Sequence, residues 1–297
     1  MPPRPNKKAG GKKPAATTTT IDEAPPRRAV VSRGVIRVSR TLPGDAALLQ
    51  LHGAAKGLRV AVYADFYPVA YRAGGKYAGL DVDLVEGFSR AAGLRAPVYV
   101  RQRDLFDTWQ EPGLWSSRVD LAIGGIGRGQ WREAAGVEWT VPYFVVRRTV
   151  VSRRSDPIRR FPEDVTGVVA GTMGSTGMQD AAERMRRRFG DDKVWDHLDA
   201  RWKTTDARDL LDLRKGRIQG LMRGSFVGRA IAALHPDELV VAEPWDADPK
   251  TLGPYSSEVF AFPCRRGSGL ATQLSAYMVG LSHSGALSEL VRRHGMD

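Results

Sequence analysis

Two glycine-rich segments and one arginine are the residues of this chain whose types and spacing favour the binding of an anion. Residues 124–129 read Gly-Gly-Ile-Gly-Arg-Gly, and residues 171–177 read Gly-Thr-Met-Gly-Ser-Thr-Gly. Neither segment has the spacing of a dinucleotide-binding loop or the lysine of a P-loop. Both offer backbone N–H groups that suit a carboxylate, although each alone is as consistent with an ordinary turn. Arg132 adds a guanidinium, which can bind a carboxylate through two hydrogen bonds.

Metal chemistry and nucleophilic catalysis have little support in the sequence. The single cysteine, Cys264, cannot form an internal disulfide, and the five histidines do not have metal-ligand spacing. There is no G-x-S-x-G motif and no set of Ser, His and Asp residues typical of a hydrolase. We therefore expect no cofactor, no metal and no catalysis.

The hydrophobic pattern from residue 58 onward predicts the elements that must position these segments. The predicted strands are 58–63, 96–100, 119–123, 142–151, 167–170, 218–222, 238–242 and 258–262. The predicted helices are 81–93, 178–189, 206–215, 270–281 and 287–294. Asp81 is expected to cap the first of these helices. Strands that alternate with helices predict an α/β fold with mostly parallel sheets.

The net charge of +12 is distributed unevenly along the 297 residues. Residues 1–57 hold 11 Lys or Arg and 3 Asp or Glu, a net charge of +8, whereas the remaining 240 residues hold 34 and 30, a net charge of +4. The start of the chain combines lysine pairs, prolines and four consecutive threonines, so we expect a largely disordered basic tail. Such a tail could bind nucleic acid or an anionic surface nonspecifically.

The order of several motifs is more specific than any one of them. These motifs lie at 58–71, 77–84, 119–125, 139–143, 171–177, 215–218 and 285–290. Together they resemble the family 3 solute-binding proteins, which are the amino-acid receptors of ABC importers. The resemblance covers residues 58–297 in the family's order, so it is specific at the level of the fold.

The resemblance implies a periplasmic-binding-protein-like type 2 fold, in which two lobes form a clamshell that closes on a ligand about two crossing strands. Lobe one would comprise residues 58–147 and 257–297, and lobe two residues 148–256. Residues 1–57 would be an extension outside the family's fold. The family also implies a monomer whose candidate partner is an ABC permease.

A ligand site between the lobes is also implied by the resemblance. The residues implied to line it are Tyr63, Phe66, Gly125, Gly127, Arg132, Thr172, Ser175, Thr176 and Gly224. Phe66 would stack on the ligand, and Arg132 would bind its carboxylate with the backbone of the 124–129 loop. Amides and hydroxyls of the 171–177 segment would bind the same carboxylate.

Three positions depart from the family's pattern. Gly127 replaces the usual Ser or Thr of the first carboxylate loop, and Tyr63 and Gly224 replace the acids that receive the ligand's amino group. Because an unpaired ammonium in a closed cleft is costly, we expect an organic anion to fit better than a plain α-amino acid.

The sequence thus favours a noncatalytic binding protein for a small carboxylate-bearing metabolite, an amino acid or a related organic anion, in ABC-type transport or sensing. A cyclohexadienyl or arogenate dehydratase is one alternative, for which Glu258 is only a distant candidate as general acid. A cytoplasmic sensor or partner-binding module with a degenerate cleft is another. The family works outside the cytoplasm, but the chain as written has no signal-peptide core or lipid-anchor cysteine. The sequence therefore leaves the location unknown, and the chain as written would be cytoplasmic.

Overall fold

The computed structural model describes residues 57–102, 119–128, 137–172, 176–201, 206–245 and 258–296. The predicted basic tail therefore lies outside the described residues, apart from Gly57. The strands are β1 (Arg59–Tyr63), β2 (Asp65–Phe66), β3 (Ala70–Ala73), β4 (Lys76–Ala78), β5 (Val98–Gln102), β6 (Leu121–Ile123), β7 (Gly127–Arg128), β8 (Val137–Trp139), β9 (Phe144–Val146), β10 (Arg148–Arg153), β11 (Val169–Thr172), β12 (Leu198–Arg201), β13 (Gly220–Gly224), β14 (Leu239–Val241), β15 (Glu258–Phe260) and β16 (Pro263–Arg265). The helices are α1 (Leu80–Ala91), α2 (Thr176–Phe189), α3 (Asp206–Arg214), α4 (Ser225–Leu234), α5 (Leu270–His283) and α6 (Ala286–Arg293), with a short 3-10 helix at Val194–His197.

Two five-stranded sheets form the centres of two lobes. The sheet of lobe one has the strand order β5-β1-β6-β16-β8, and the sheet of lobe two has the order β12-β11-β13-β10-β14. The two-lobed α/β fold expected from the sequence is confirmed. The strands of lobe one come from residues 59–139 and 263–265, and those of lobe two from residues 148–241. The predicted lobe boundaries at 147 and 257 stay predictions.

Each of the two sheets is mixed rather than mostly parallel. β1 is parallel to β5 and β6, and β11 is parallel to β12 and β13. In contrast, β16 is antiparallel to β6 and β8, and β10 is antiparallel to β13 and β14. The expectation of mostly parallel sheets is therefore wrong for half of these pairings. The reason is topological, because β10 and β16 each enter their sheet directly from a connecting strand instead of through a crossover helix.

Two short strands connect the lobes. β9 pairs antiparallel with β15, which also pairs with β7. The sequence predicted one strand over residues 142–151, but the structure has two strands, β9 and β10, which are separated by Arg147. The two halves have different partners, since β9 pairs with β15 and β10 pairs within the sheet of lobe two. β9 therefore belongs to the three-stranded sheet β7-β15-β9, and β10 belongs to the five-stranded sheet of lobe two.

The elements β1 and α1 build the part of lobe one that supports the candidate site. Val60 and Val62 on one face of β1 and Ala61 on the other are fully buried, as expected for a central parallel strand that is covered on both faces. Leu84 and Phe88 of α1 belong to the same hydrophobic core. The helix ends before Gly93, whose φ of +68° is the left-handed conformation that glycine adopts at no steric cost.

In the described ranges, no helix combines the length and the apolar character that a membrane span requires. The same ranges contain no group of three or more His, Cys, Asp or Glu side chains positioned to hold a metal ion.

Candidate functional site

The carboxyl ends of the parallel strands β1 and β6 lie side by side at one edge of lobe one. β1 ends at Tyr63 and leads to Phe66, whereas β6 leads into Gly124 and Gly125. Gly124 has a φ of +127°, and a Cβ there would stand 2.7 Å from the carbonyl oxygen of Tyr63, so this turn requires glycine. Ligands of open α/β sheets bind outside the carboxyl ends of the strands. This edge is therefore one wall of the candidate site.

The buried side chain of Asp81 holds the Gly124–Gly125 turn in place. Its Oδ2 accepts hydrogen bonds from the N–H groups of Gly124 and Gly125, at 2.8 Å and 2.9 Å. Its Oδ1 accepts a hydrogen bond from the hydroxyl of Tyr143 at 2.5 Å. The predicted role of Asp81 as the helix cap is wrong, because Gly79 occupies the N-cap position and Asp81 lies within the first turn of α1. Instead of capping its own helix, Asp81 joins α1 to the loop and to the connecting segment at Tyr143.

The electrostatics of Asp81 follow from its burial. Burial raises the pKa of the carboxyl from 3.8 to about 6, against the opposing effects of the three hydrogen bonds and of the charge on His294. Burial, and after it the negative charge of Asp81, raise the pKa of the Tyr143 hydroxyl well above its usual value. Tyr143 thus keeps its proton at neutral pH, and its hydroxyl donates a hydrogen bond to Asp81. The charge of Asp81 itself changes at mildly acidic pH.

Lobe two presents a second edge, where the parallel strands β11, β12 and β13 end. β11 ends at the exposed Thr172, and α2 begins four residues later. Arg148, the first residue of β10, lies against the first turn of α2. Its Nε and Cδ atoms are 2.5 Å and 2.9 Å from the point where a Cβ on Gly177 would stand. The guanidinium and the positive end of the helix therefore converge, and together they favour an anion.

An ion network lies beside this edge. The Nη1 atom of Arg201 binds Asp209 Oδ1 at 2.7 Å, and the Nη2 atom of Arg223 binds Asp209 Oδ2 at 2.6 Å. Arg201 also binds Asp199 and Asp212, at 2.8 Å and 3.0 Å. The side chain of Asp209 is only 1% exposed. Both of its oxygens thus accept from arginines, and the charges compensate one another within lobe two.

The predicted site residues of lobe one come together in part. The ring of Phe66 packs on Gly125, where a Cβ would stand 2.4 Å from the ring carbon Cε1. The N–H of Gly125 is donated to Asp81. Gly127 pairs with Phe260 between β7 and β15. Arg132 lies outside the described residues. The proposed contacts of these residues with a ligand stay predictions.

The predicted site residues of lobe two lie at or near its edge. Thr172 ends β11 and Gly224 ends β13. Thr176 is the first residue of α2, although its side chain is outside the described part of the chain, as is the whole of Ser175. A Cβ on Gly224 would meet the ring of Phe226 at 3.2 Å and the side chain of Val146 at 3.3 Å, so its surroundings are apolar.

Sequence reasoning did not place Asp81, Tyr143, Arg148 or Phe226 in the site. Asp81 lies where a helix-capping carboxylate is common, and no local pattern connects it to a loop more than forty residues later. Phe226 lies in the first turn of the amphipathic helix α4, where an aromatic side chain is typical of an ordinary core residue. Gly224 is the one sequence signal for the position of Phe226, because a residue without a side chain leaves space that the neighbouring ring can occupy.

A family comparison agrees with this geometry. Residues 58–297 match the model of the bacterial extracellular solute-binding proteins, family 3. The chain belongs to this family. Membership confirms the resemblance predicted from the order of the motifs, and the match begins where the described strands begin. Residues 1–57 lie outside it.

Solved structures of similar fold include amino-acid-binding proteins. The arginine-, lysine-, histidine-binding protein ArtJ from Geobacillus stearothermophilus is 23% identical, with a TM-score of 0.58 over 80% of this chain and 94% of that one. The GluR0 ligand-binding core in complex with L-glutamate is 20% identical, with a TM-score of 0.63 over 81% and 99%. An ancestral amino-acid-binding protein described as a precursor of cyclohexadienyl dehydratase is 21% identical, with a TM-score of 0.60 over 80% and 95%. At these identities the likeness shows the fold.

Proposed function

We propose that this protein binds a small carboxylate-bearing solute between its lobes, without catalysis, and delivers it to a transporter or reports its presence. Membership of the family 3 solute-binding proteins supports the binding role. The similar structures include proteins named for binding arginine, lysine, histidine and glutamate, all of which carry a carboxylate. An ABC permease is the partner that this role requires in transport.

One observation carries the carboxylate part of the proposal, namely the position of Arg148 against the first turn of α2. A helix N-terminus carries a partial positive charge, so the guanidinium of Arg148 and the first turn of α2 present positive charge in the same place. A carboxylate satisfies this arrangement, because it accepts from backbone N–H groups and from a guanidinium at the same time. Arg132 is the proposed second contact from lobe one.

The proposal is tested by thermal shift and calorimetry with amino acids, 2-oxo acids and dicarboxylates. We expect at least one carboxylate to raise the melting temperature, and Arg148→Met to weaken its binding about tenfold or more. Arg147→Met is the matched control, since Arg147 is the exposed neighbour that lies outside β10. Arg132→Ala is expected to weaken binding as well. If no carboxylate stabilises the protein, or if both Arg148→Met and Arg132→Ala bind normally, the proposed function is wrong.

Dehydratase activity is the enzymatic alternative, and it requires a general acid beside the reacting carbon. The buried acids near the candidate walls in the described residues already have partners. Asp81 accepts three hydrogen bonds, Asp209 is held by two arginines, and Asp180 accepts from Trp245 and Arg184. The side chain of Glu258, the candidate acid named from the sequence, lies outside the described residues. We therefore expect prephenate to be stable in the presence of the protein. Formation of phenylpyruvate, measured by its absorbance, would require the enzymatic alternative.

A further inference from the structure

Four phenylalanines meet where the two lobes join. They are Phe66, Phe144, Phe226 and Phe260, and we name them the aromatic cluster. The ring of Phe226 lies 5.7 Å from Phe66, 5.5 Å from Phe144 and 6.2 Å from Phe260, between centroids. Phe260 is also 6.1 Å from Phe66 and 5.8 Å from Phe144. Each distance is within the range of favourable aromatic pairs, so the four rings form one packed apolar unit.

The aromatic cluster has contributions from both lobes and from the strands between them. Phe66 follows β1 in lobe one, and Phe226 lies in the first turn of α4 in lobe two. Phe144 and Phe260 face each other on the paired connecting strands β9 and β15. Phe226 and Phe260 are buried, whereas Phe66 and Phe144 are partly exposed. The cluster therefore retains aromatic surface that a solute can contact.

Two glycines bring the aromatic cluster against the candidate walls. Phe66 lies on Gly125 of the lobe-one turn, where a Cβ would stand 2.4 Å from its ring. Phe226 lies beside Gly224 at the lobe-two edge, where a Cβ would stand 3.2 Å from its ring. The space beside each wall is thus occupied by a hydrocarbon ring rather than by a polar side chain.

The acids beside this region already have partners. Gly125 donates its N–H to Asp81, which also accepts from Gly124 and Tyr143. On the other side, Asp209 accepts from the arginine that precedes Gly224 and from a second arginine. Among the acids that the structure describes beside the cluster, a solute ammonium could therefore pair only by displacing one of these partners. An aromatic face attracts a cation much less strongly than a carboxylate does.

We propose that the aromatic cluster selects carboxylate solutes that have an apolar body and lack an ammonium group next to the carboxylate. This inference rests on the proposed function, because the carboxylate would be bound where Arg148 lies against the first turn of α2. The chemical class comprises 2-oxo acids with branched or aromatic side chains and simple arylalkanoic acids. A buried apolar body gains contact with Phe66 and Phe144, whereas an unpaired ammonium loses its hydration without compensation.

Matched pairs of solutes test this selectivity directly. Calorimetry compares phenylpyruvate and 3-phenylpropionate with L-phenylalanine, and 4-methyl-2-oxopentanoate with L-leucine, under one set of conditions. We expect each compound without an ammonium group to bind about tenfold or more tightly than its amino acid. Glycine betaine is included because its ammonium needs no hydrogen bond. We expect it not to bind.

Gly224→Asp is the variant that should reverse the preference. The backbone of Gly224, with φ −59° and ψ 143°, is open to any residue, and the new side chain needs a shift of only a few tenths of an ångström in its neighbours. We expect it to bind L-phenylalanine more tightly and phenylpyruvate more weakly than the parent protein. Ala233→Asp is the control, since it adds the same charge at an exposed position of α4, the helix that follows Gly224. Phe226→Leu keeps the site apolar and is expected to weaken 3-phenylpropionate about threefold to tenfold while the preference over L-phenylalanine remains.

The possible outcomes separate this inference from the proposed function. Tighter binding of the compounds without an ammonium, reversed by Gly224→Asp and unaffected by Ala233→Asp, supports the inference. Amino acids or glycine betaine that bind as tightly as the 2-oxo acids overturn it, while carboxylate binding itself still stands. If Gly224→Asp does not fold, the solute pairs on the parent protein and on Phe226→Leu decide the question. Absence of binding by every carboxylate overturns both proposals.

Discussion

Replacement of Asp81 by Asn tests how the side chain of Asp81 stabilises the Gly124–Gly125 turn. The asparagine side chain has the same shape, so its oxygen can still accept from Gly124 and Gly125 while its amide group faces Tyr143. The variant removes one property of Asp81, its ability to ionise in a fully buried position. The difference between the two proteins therefore reports the cost of that charge.

The magnitude follows from the pKa of Asp81, which burial raises from 3.8 to about 6. A shift of about two units corresponds to about 3 kcal/mol. Because the folded pKa is raised, the folded state is favoured most below about pH 4, where the carboxyl is protonated in both states. Between about pH 4 and pH 6 the unfolded chain ionises before the folded one, and stability is lost. Above about pH 6 the full cost is present.

The assay is thermal unfolding of the parent protein and Asp81→Asn at several pH values from 4 to 7. We expect the melting temperature of the variant to rise relative to the parent by about 6–12 °C across this range, since 1 kcal/mol corresponds to about 2–4 °C for a chain of this size. Asp192→Asn is the control, because Asp192 is exposed. The difference in melting temperature between this variant and the parent protein should not depend on pH. Other groups that titrate in both proteins cancel in the comparison.

A difference that stays constant between pH 4 and pH 7 would refute this reasoning. A difference of the opposite sign, with the parent gaining stability over the variant as pH rises, would show that the hydrogen bonds from Gly124, Gly125 and Tyr143 outweigh burial. In that case the pKa of Asp81 would be lowered, and the negative charge of Asp81 would stabilise the folded protein instead of destabilising it.

Three further predictions concern the same structure. Tyr143→Phe removes a hydrogen bond that favours the ionised form of Asp81, so the midpoint of the pH dependence should move upward; an unchanged or lower midpoint contradicts this. Asp209→Asn removes the negative charge between two largely buried arginines and leaves one of them facing an amide N–H. It should lower the free energy of unfolding, measured in urea, by about 3–5 kcal/mol, whereas Asp191→Asn, at an exposed position, should have little effect. Cys264 is fully buried and burial raises its thiol pKa, so thiol reagents should label it only after denaturant unfolds the protein, and labelling of the native protein would show that its site opens.

Much of the fold was predictable because it depends on local patterns. Continuous apolar runs such as that of β1, and amphipathic spacing such as that of α1, indicate strands and helices without reference to the rest of the chain. The mixed direction of the sheets was not predictable in this way. The compositions of β10 and β16 suit a parallel and an antiparallel strand equally well. Only the path of the chain between the lobes decides that these strands run antiparallel to their neighbours.

The candidate site was predictable only in outline. The motif order located the two loops and the glycine at 224, since these are positions in the chain. The partners of those loops come from remote segments: Asp81 is 43 residues from Gly124, and Tyr143 is 62 residues from Asp81. Contacts over such separations have no signature in local sequence, so neither the role of Asp81 nor its raised pKa could be inferred from its neighbours.

The sequence by itself determined that residues 58–297 form a two-lobed α/β protein of the solute-binding family and that most of the excess positive charge lies before them. Composition and motif order carry that information because they can be determined without knowing which residues are close together in the folded chain. The tertiary structure alone decided that Phe66 and Phe226 meet across the lobes, and that the acids beside them already have partners. Ligand selectivity depends on which groups are close together and which charges remain unpaired, and both are properties of the folded chain.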